Sequence, residues 1–329
     1  GRAWPQLLPL IYTALDENRI RDTKIREKLH KIAQGGTGTG IILTEDGGRL
    51  GKLSLAGLVY KYLGVDLSQQ KSGGVRYEYD RLAELPLSEW GDEAIEYAAQ
   101  DALMTGLVYF CQRAEIDEDE LHDECAQVRA DYVLGVMGAE GVTVDAGSVE
   151  QVAEALRAEC DEISARIKRA GYMDARGKLI TSRIKDQIDY CLTERELEVP
   201  KTDRGEVSTN REALLSTDDP DLADINAFKQ AQKLLSTYVG DLESAEHYNG
   251  VLRAEYSVLM VTGRTSCKSP NLQNLPRRGG IRDCFIPREG CVFVLCDYDA
   301  VEMRTLAQCF LDLTGEQTPL AEMYANDPQ

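Results

Sequence analysis

The side chains able to do chemistry gather toward the end of the chain. Asp297, Asp299 and Glu302 lie within the stretch CVFVLCDYDAVEMRTLAQ, Cys291 to Gln308. Carboxylates so closely spaced can hold hard divalent cations and, through them, phosphate. Just upstream, between Val258 and Gly290, the basic residues Arg264, Lys268, Arg277, Arg278, Arg282 and Arg288 face only Asp283 and Glu289. That is a local basic surface of the kind that meets a nucleic-acid backbone. Far from both, Tyr97 and Asp101 are four residues apart and share one face if their segment is helical.

These groups need elements to carry them. Val292 to Cys296 is a short apolar run rich in β-branched and aromatic types, with Gly290 before it and charge after it. It predicts a strand buried on both faces, with Asp297 at its carboxyl end. From Val301 the apolar positions Val301, Met303, Leu306, Ala307 and Phe310 recur at near-helical spacing, and Asp299 with Glu302 has the D-x-x-E form of a capping box. Strand, acid and capped helix would set carboxylates at the edge of a sheet.

Earlier segments read as follows. Leu15 to Ile32 predicts a helix, Gly35 to Gly40 a turn, Leu53 to Leu63 a second helix ending at Gly64, and Trp90 to Arg113 a third, capped near Ser88 or Gly91. The acidic run from Asp117 to Glu124 marks a change to long helical patterns, interrupted by the turn Glu140 to Asp145 and closing with a helix over Ala223 to Val239. After Gly250 strands and turns take over: Val251 to Val261 and Ile281 to Pro287 predict strands around a polar turn, Thr262 to Pro276. The fold class is therefore α/β plus α, in three regions: 1–115, 116–250 and 251–329.

Composition sets outer limits. A chain of 329 residues can bury real cores in two or three domains. No apolar run approaches membrane-spanning length, and the nine cysteines form no C-x-x-C pair and no Cys/His metal spacing. Several, Cys111, Cys160, Cys296 and Cys309, sit in apolar runs, which predicts buried reduced thiols and a cytoplasmic setting. A net charge of -19 argues, as a sum, against a nucleic-acid partner. Its distribution does not, because the basic cluster occupies one stretch of an otherwise acidic protein.

At Val261 to Arg304 the residues closely resemble the family A DNA polymerases. T-G-R-T-S-C-K-S-P-N-L-Q-N-L-P, then I-R-D-C-F-I-P, then D-Y-D-A-V-E-M-R follow that family's motifs in order. The resemblance implies template-directed DNA synthesis by two-metal nucleotidyl transfer, with Mg²⁺ as the ion and with primer–template DNA and deoxynucleotide triphosphates as partners. It makes Asp297 a metal-bridging carboxylate, the backbone carbonyl of Tyr298 a further ligand, and Glu302 the side chain that closes the sugar pocket against a 2′-hydroxyl. Arg264, Gln273 and Asn274 would reach the minor groove of the duplex, where purine N3 and pyrimidine O2 acceptors are common to all base pairs. Arg277, Arg278 and Arg282 are better read as phosphate contacts. Three positions depart from the pattern: Asp299 and Ala300 stand where the family has Ser and Gln, and Cys267 replaces the turn's second Ser.

Upstream, V-S-T-N-R-E-A-L-L and the helix Lys229 to Val239 resemble the family's thumb, with Lys233 and Ser236 as duplex contacts, and Glu140 to Asp145 matches a neighbouring stretch in outline. The first region resembles the end of a ribonuclease H-like 3′-5′ exonuclease domain, Tyr97 and Asp101 matching its third motif. No D-x-E precedes them, so a relic without activity is expected. Leu121-His122-Asp123-Glu124 imitates the family's motif C, but it lies on an acidic helix start ahead of motif A and is read as coincidence. No fingers helix and no true motif C are found, so the palm is expected to be partial. The chain alone should not polymerise, whether it is truncated or one part of a split enzyme whose second chain supplies fingers and the remaining palm. The alternative is a non-catalytic primer–template-binding subunit. The layout is also similar to compact phage polymerases, in which case the cytoplasm would be the host's.

Overall fold

In a computed structural model the described residues are 7–36, 40–45, 47–67, 82, 85–121, 123–245, 250–260 and 262–325. They form two compact units, Gly1–Ile286 and Pro287–Gln329.

The first unit opens with α1 (Leu7–Asp16) and α2 (Thr23–Ala33) where one helix was expected over Leu15 to Ile32. Local side-chain chemistry breaks it. Asn18 adopts a left-handed φ of 56°, and the Asp22 carboxylate accepts from the Ile25 N–H at 2.8 Å, which caps α2. A hairpin of β1 (Ile41–Leu43) and β2 (Arg49–Gly51) follows, then α3 (Leu55–Leu63), capped by Ser54 and ended by left-handed Gly64. Helix α4 (Asp92–Glu115) starts after Gly91 as expected. Of the predicted turn Gly35 to Gly40, residues 37–39 lie outside the described residues, as does His122 of the motif C look-alike.

Arg26 on α2 is fully buried. Its guanidinium donates to Glu124 Oε2 at 2.6 Å and to Glu118 Oε1 at 2.7 Å, and it lies 5.3 Å from the centre of the Tyr109 ring on α4. Glu124 begins α5 (Glu124–Glu140), so one cation ties three segments together.

Next comes a helical region built on α6 (Ala146–Arg169), α7 (Thr181–Glu194), α8 (Arg211–Leu215) and α9 (Pro220–Lys233). Three of these four helices, all but α7, are capped by a side chain at their start. The Asp145 carboxylate accepts from Ser148 N at 2.8 Å and Ser148 Oγ at 2.7 Å, bonds that hold its pKa below the ordinary range. Asp219 caps α9 ahead of Pro220. Between the helices Ile167, Ile184, Ile188, Leu192, Leu222 and Ile225 are at most 1% exposed, and each such side chain contributes roughly 1.5–3 kcal/mol by burial. Arg166 clasps Asp224 across α6 and α9 through two bonds of 2.7 and 2.9 Å.

Helix α9 does not run on to Val239 as expected. It passes into a π-helical segment, Leu234–Val239, and then α10 (Gly240–Ser244). The strand expected over Val251 to Val261 divides into β4 (Val251–Leu252) and β5 (Glu255–Ser257), with Val261 outside the described residues. Strand β3 (Val142–Val144) is central in a small antiparallel sheet, pairing with β4 on one side and β7 (Phe285–Ile286) on the other. Strand β5 pairs with β6 (Ser266–Lys268). The strand expected over Ile281 to Pro287 begins instead as a 3₁₀ turn, Ile281–Cys284, whose Ile281 and Cys284 are wholly buried.

The second unit contains α11 (Val301–Thr314) and α12 (Pro319–Ala325), with the Arg304 guanidinium 4.5 Å above the Tyr324 ring. The buried strand predicted at Val292 to Cys296 is not formed. Val292, Phe293, Val294 and Leu295 are 79%, 53%, 80% and 95% exposed. A run becomes a strand only when a neighbour satisfies its N–H and C=O groups, and among the described residues none pairs with it. Cys296 and Cys309, expected to be buried, are exposed; all nine cysteines are free thiols. Among the described residues no helix is long and apolar enough to cross a membrane.

Candidate nucleic-acid interface

The site in the first unit is the turn from Cys267 to Cys284. It leaves β6 through a cis Ser269–Pro270 bond and tightens into a 3₁₀ turn at Leu272–Asn274. Its start is held from within. The buried Cys267 thiol donates to Pro270 O at 3.3 Å and its sulfur accepts from Leu272 N at 3.4 Å. Asn271 Oδ1 accepts from Gln273 N at 3.2 Å, an Asx cap of the turn. Cys267, a weaker donor than the expected Ser, is therefore built into the turn, and it lies beside Tyr256, whose pKa is raised by burial first and by this thiol second.

The turn's end is held from outside. Tyr238 Oη, on the π-helical segment, donates to Asn274 O at 3.1 Å. Arg282 donates to the next carbonyl, Leu275 O, from Nε at 3.2 Å and Nη2 at 2.8 Å. Arg282 was expected on phosphate; in this structure two of its N–H groups hold the turn. Gln273 and Asn274 are consequently exposed side chains on a fixed backbone, and Gln273 Nε2 is aligned by a 2.8 Å bond to Thr265 Oγ1.

Beyond the turn Arg277 and Arg278 are exposed on a bend. Gly279 and Gly280 then return the chain to the core with φ of 78° and 71°. A Cβ on Gly279 would stand 2.7 Å from Leu234 Cδ1, and one on Gly280 would stand 2.9 Å from Val152 Cγ2. The left-handed backbone, with the close approach of these side-chain ends, disfavours larger residues. On the helix, Lys233 and Ser236 are exposed, and Arg264 is exposed on the loop before β6. The structure thus joins Gln273, Asn274 and Arg282 in one bonded turn, and joins that turn to the Lys233–Ser236 helix through Tyr238. Sequence reasoning missed Tyr238 and Thr265.

In the second unit Asp297, Tyr298 and Asp299 are exposed, with Tyr298 84% accessible. The capping box is not formed. Helix α11 is entered through Ala300 in a left-handed conformation (φ 49°, ψ 35°), without a side-chain cap, and Glu302 falls on its first turn. Asp299 is one residue too early to serve as cap. A carboxylate and a neighbouring backbone carbonyl are the hard oxygen donors Mg²⁺ takes, though fewer than its octahedral shell needs. Among the described residues no three His, Cys, Asp or Glu side chains are grouped to hold a metal ion. Tyr97 and Asp101 are both half-buried on α4.

Comparison with known proteins decides the family. Residues 147–326, more than half of the chain, match the model described as DNA polymerase family A. The chain belongs to DNA polymerase family A. Among relatives of this family A chain, the thermostable DNA polymerase I of Thermus aquaticus is 32% identical over 241 residues, 70% of this chain and 28% of that protein. DNA polymerase I of Chloroflexus aurantiacus is 30% identical over 256 residues, 73% of this chain and 26% of the relative. The chain thus spans about a quarter of the length of these relatives. Its fold is similar to that of the POL domain of Pol1 from M. smegmatis, a complex with DNA primer-template and dNTP. The TM-score is 0.56 at 23% identity, covering 87% of this chain and 44% of that one.

Proposed function

We propose that this family A chain grips primer–template duplex for DNA synthesis and supplies one metal-binding carboxylate of the polymerase centre. The observation that carries the reading is the bonded turn Pro270–Leu275, which presents two exposed amide side chains, Gln273 and Asn274, amid basic residues. Amide N–H groups are donors, and the minor groove offers acceptors that do not vary with sequence, as a polymerase requires. Arg264 joins that pair. Arg277 and Arg278, with Lys233 and Ser236 on the helix, contact the phosphates, which position without reading sequence.

Asp297 and the Tyr298 carbonyl bind Mg²⁺, and Glu302 excludes a 2′-hydroxyl from the deoxynucleotide's pocket. When bound, paired Mg²⁺ ions would acidify the primer hydroxyl and neutralise the leaving phosphates. Asp297 supplies only part of such a clamp. The exposed apolar run Val292–Leu295 favours a palm completed by further polypeptide, which would also bring fingers and the remaining ligands. Regions 1–115, 116–250 and 251–329 serve as exonuclease-like remnant, thumb and partial palm; Tyr97 and Asp101 are inherited positions in the first.

The test is fluorescence anisotropy with a labelled primer–template across a salt series. Binding should weaken linearly in log–log form, and replacing Arg277 and Arg278 by Ala should lower the slope by about one to two, roughly 0.9 per phosphate contact. No binding at low salt defeats the reading. In a parallel assay the chain alone, given Mg²⁺ and deoxynucleotides, should not extend the primer. Extension abolished in Asp297→Ala would refute the claim that further ligands are needed.

A further inference from the structure

From Ala231 to Leu242 on the helix that carries Lys233 and Ser236, the buried positions are Ala231, Leu234, Val239 and Leu242, with Leu235 partly buried beside them. The step from Leu234 to Val239 is five residues, where a regular α-helix would give three or four. It coincides with the π-helical segment Leu234–Val239, and such single turns are frequent at functional positions. The extra residue brings Val239 into the core position and moves Tyr238 to the rim. There the Tyr238 ring packs against the same apolar cluster as Leu272 and Leu275, while its hydroxyl donates to Asn274 O at 3.1 Å.

The bonds around the turn divide into two sets. Cys267 and Asn271 fix its beginning and come from the turn itself. Its end depends on remote side chains, with Tyr238 on the carbonyl of residue 274 and Arg282 on that of residue 275. Arg282 can fix the height of the Leu275 carbonyl, whereas among the described residues it is the Tyr238 bond that acts on the peptide unit following Asn274 and so on the direction of its side chain.

We propose that Tyr238 is a positioning residue for duplex recognition: the π turn aims its hydroxyl at the Asn274 carbonyl, which fixes the aim of the Asn274 amide into the minor groove beside that of Gln273, which Asn271 and Thr265 hold. This rests on the reading of that pair as minor-groove donors. It also makes the helix bearing Lys233 and Ser236 and the groove-reading turn one mechanical piece, so the phosphate grip and the groove grip keep a fixed spacing.

Tyr238→Phe removes the hydroxyl and leaves the packed ring. The probe is a pair of primer–template duplexes, one ordinary and one carrying 3-deazapurines, which lack the N3 acceptor, near the primer terminus. Wild-type protein should bind the 3-deaza duplex about tenfold less tightly, as loss of one or two hydrogen bonds requires. In Tyr238→Phe the ratio should fall below about threefold, while melting temperature and salt slope stay at wild-type values. A wild-type ratio that survives in Tyr238→Phe overturns this inference alone. A wild-type protein indifferent to 3-deaza substitution overturns the minor-groove reading and this inference with it. A lower ratio accompanied by a lowered melting temperature or altered salt slope also counts against it, since general loosening would then explain the loss.

Discussion

Arg26 gives the sharpest stability test, because its partners differ so much in exposure. The Arg26 side chain is 0% exposed, Glu124 is 5% exposed and Glu118 is 54% exposed. Burial pushes the Glu124 carboxyl above its ordinary pKa, against the pull of Arg26 and Arg21, whereas the Arg26 bond holds Glu118 below its own. Arg26→Ala leaves the buried Glu124 carboxylate, whose Oε1 already has no hydrogen-bond partner, with only the half-exposed Arg21 at 3.5 Å among the described residues, and breaking a buried pair costs about 3–5 kcal/mol, the lower end applying here because Arg21 remains. Glu118→Ala removes a solvent-screened partner and should cost at most about 1 kcal/mol. Replacing both members, Arg26→Met with Glu124→Leu, should recover most of the loss, since no charge is then left buried. Urea unfolding followed by far-UV circular dichroism and by tryptophan fluorescence gives all three values, Trp90 being anchored in this region by a 3.0 Å bond to Leu82 O. The reasoning is refuted if Glu118→Ala costs as much as Arg26→Ala, or if Arg26→Ala stays within about 0.5 kcal/mol of wild type, the usual range for surface changes.

Further outcomes follow from particular contacts. Gly279→Ala meets Leu234 at 2.7 Å in a left-handed backbone, so thermal melts should show a loss of about 1–3 kcal/mol, with weaker duplex binding because the turn's return path moves. The Arg166 bonds hold the Asp224 carboxyl below its ordinary range; the stabilisation they bring is present above the unfolded carboxylate pKa and fades as pH falls through the depressed folded value. Melting temperature should therefore drop on acidification below about pH 4, and Asp224→Asn should show a smaller drop than wild type. Leu295→Lys, at a position 95% exposed, should leave stability within about 0.5 kcal/mol while reducing self-association in sedimentation velocity; a substantial loss of stability would mean the run is covered.

Where one short motif decides an element, the sequence was sufficient. Gly64 after an amphipathic run ends α3, and Gly91, one of the two expected caps, precedes α4; Asp219 with Pro220, by contrast, starts α9 ahead of the expected Ala223. The polar turn over Thr262 to Pro276 was legible for the same reason: its Pro, Asn and Gly residues each impose a local geometry. Elements that depend on competition or on neighbours were not. Apolar periodicity runs through residues 15–32, yet Asn18 and Asp22 divide it by local bonding. Val292 to Cys296 has strand composition, but composition cannot supply a ladder partner. The π turn left no trace in the letters, because Leu234, Leu235, Tyr238 and Val239 keep ordinary helical spacing and only their burial sets Val239 apart from Tyr238. Tyr238 and Thr265 were invisible as site residues because they act on the backbone or on another side chain, a role no motif letter encodes. Arg282 looked like any basic residue until its partner carbonyl was seen.

The central claim is that a fixed turn presents two amides to the duplex groove. Its most direct test is primer–template affinity for the Gln273→Ala, Asn274→Ala double variant against wild type, measured across a salt series. Loss of two or more hydrogen bonds of about 1 kcal/mol each predicts affinity roughly tenfold to a hundredfold weaker at every salt concentration, with an unchanged salt slope because no phosphate contact is removed. Affinity equal to wild type, or a slope that falls along with it, would contradict the account.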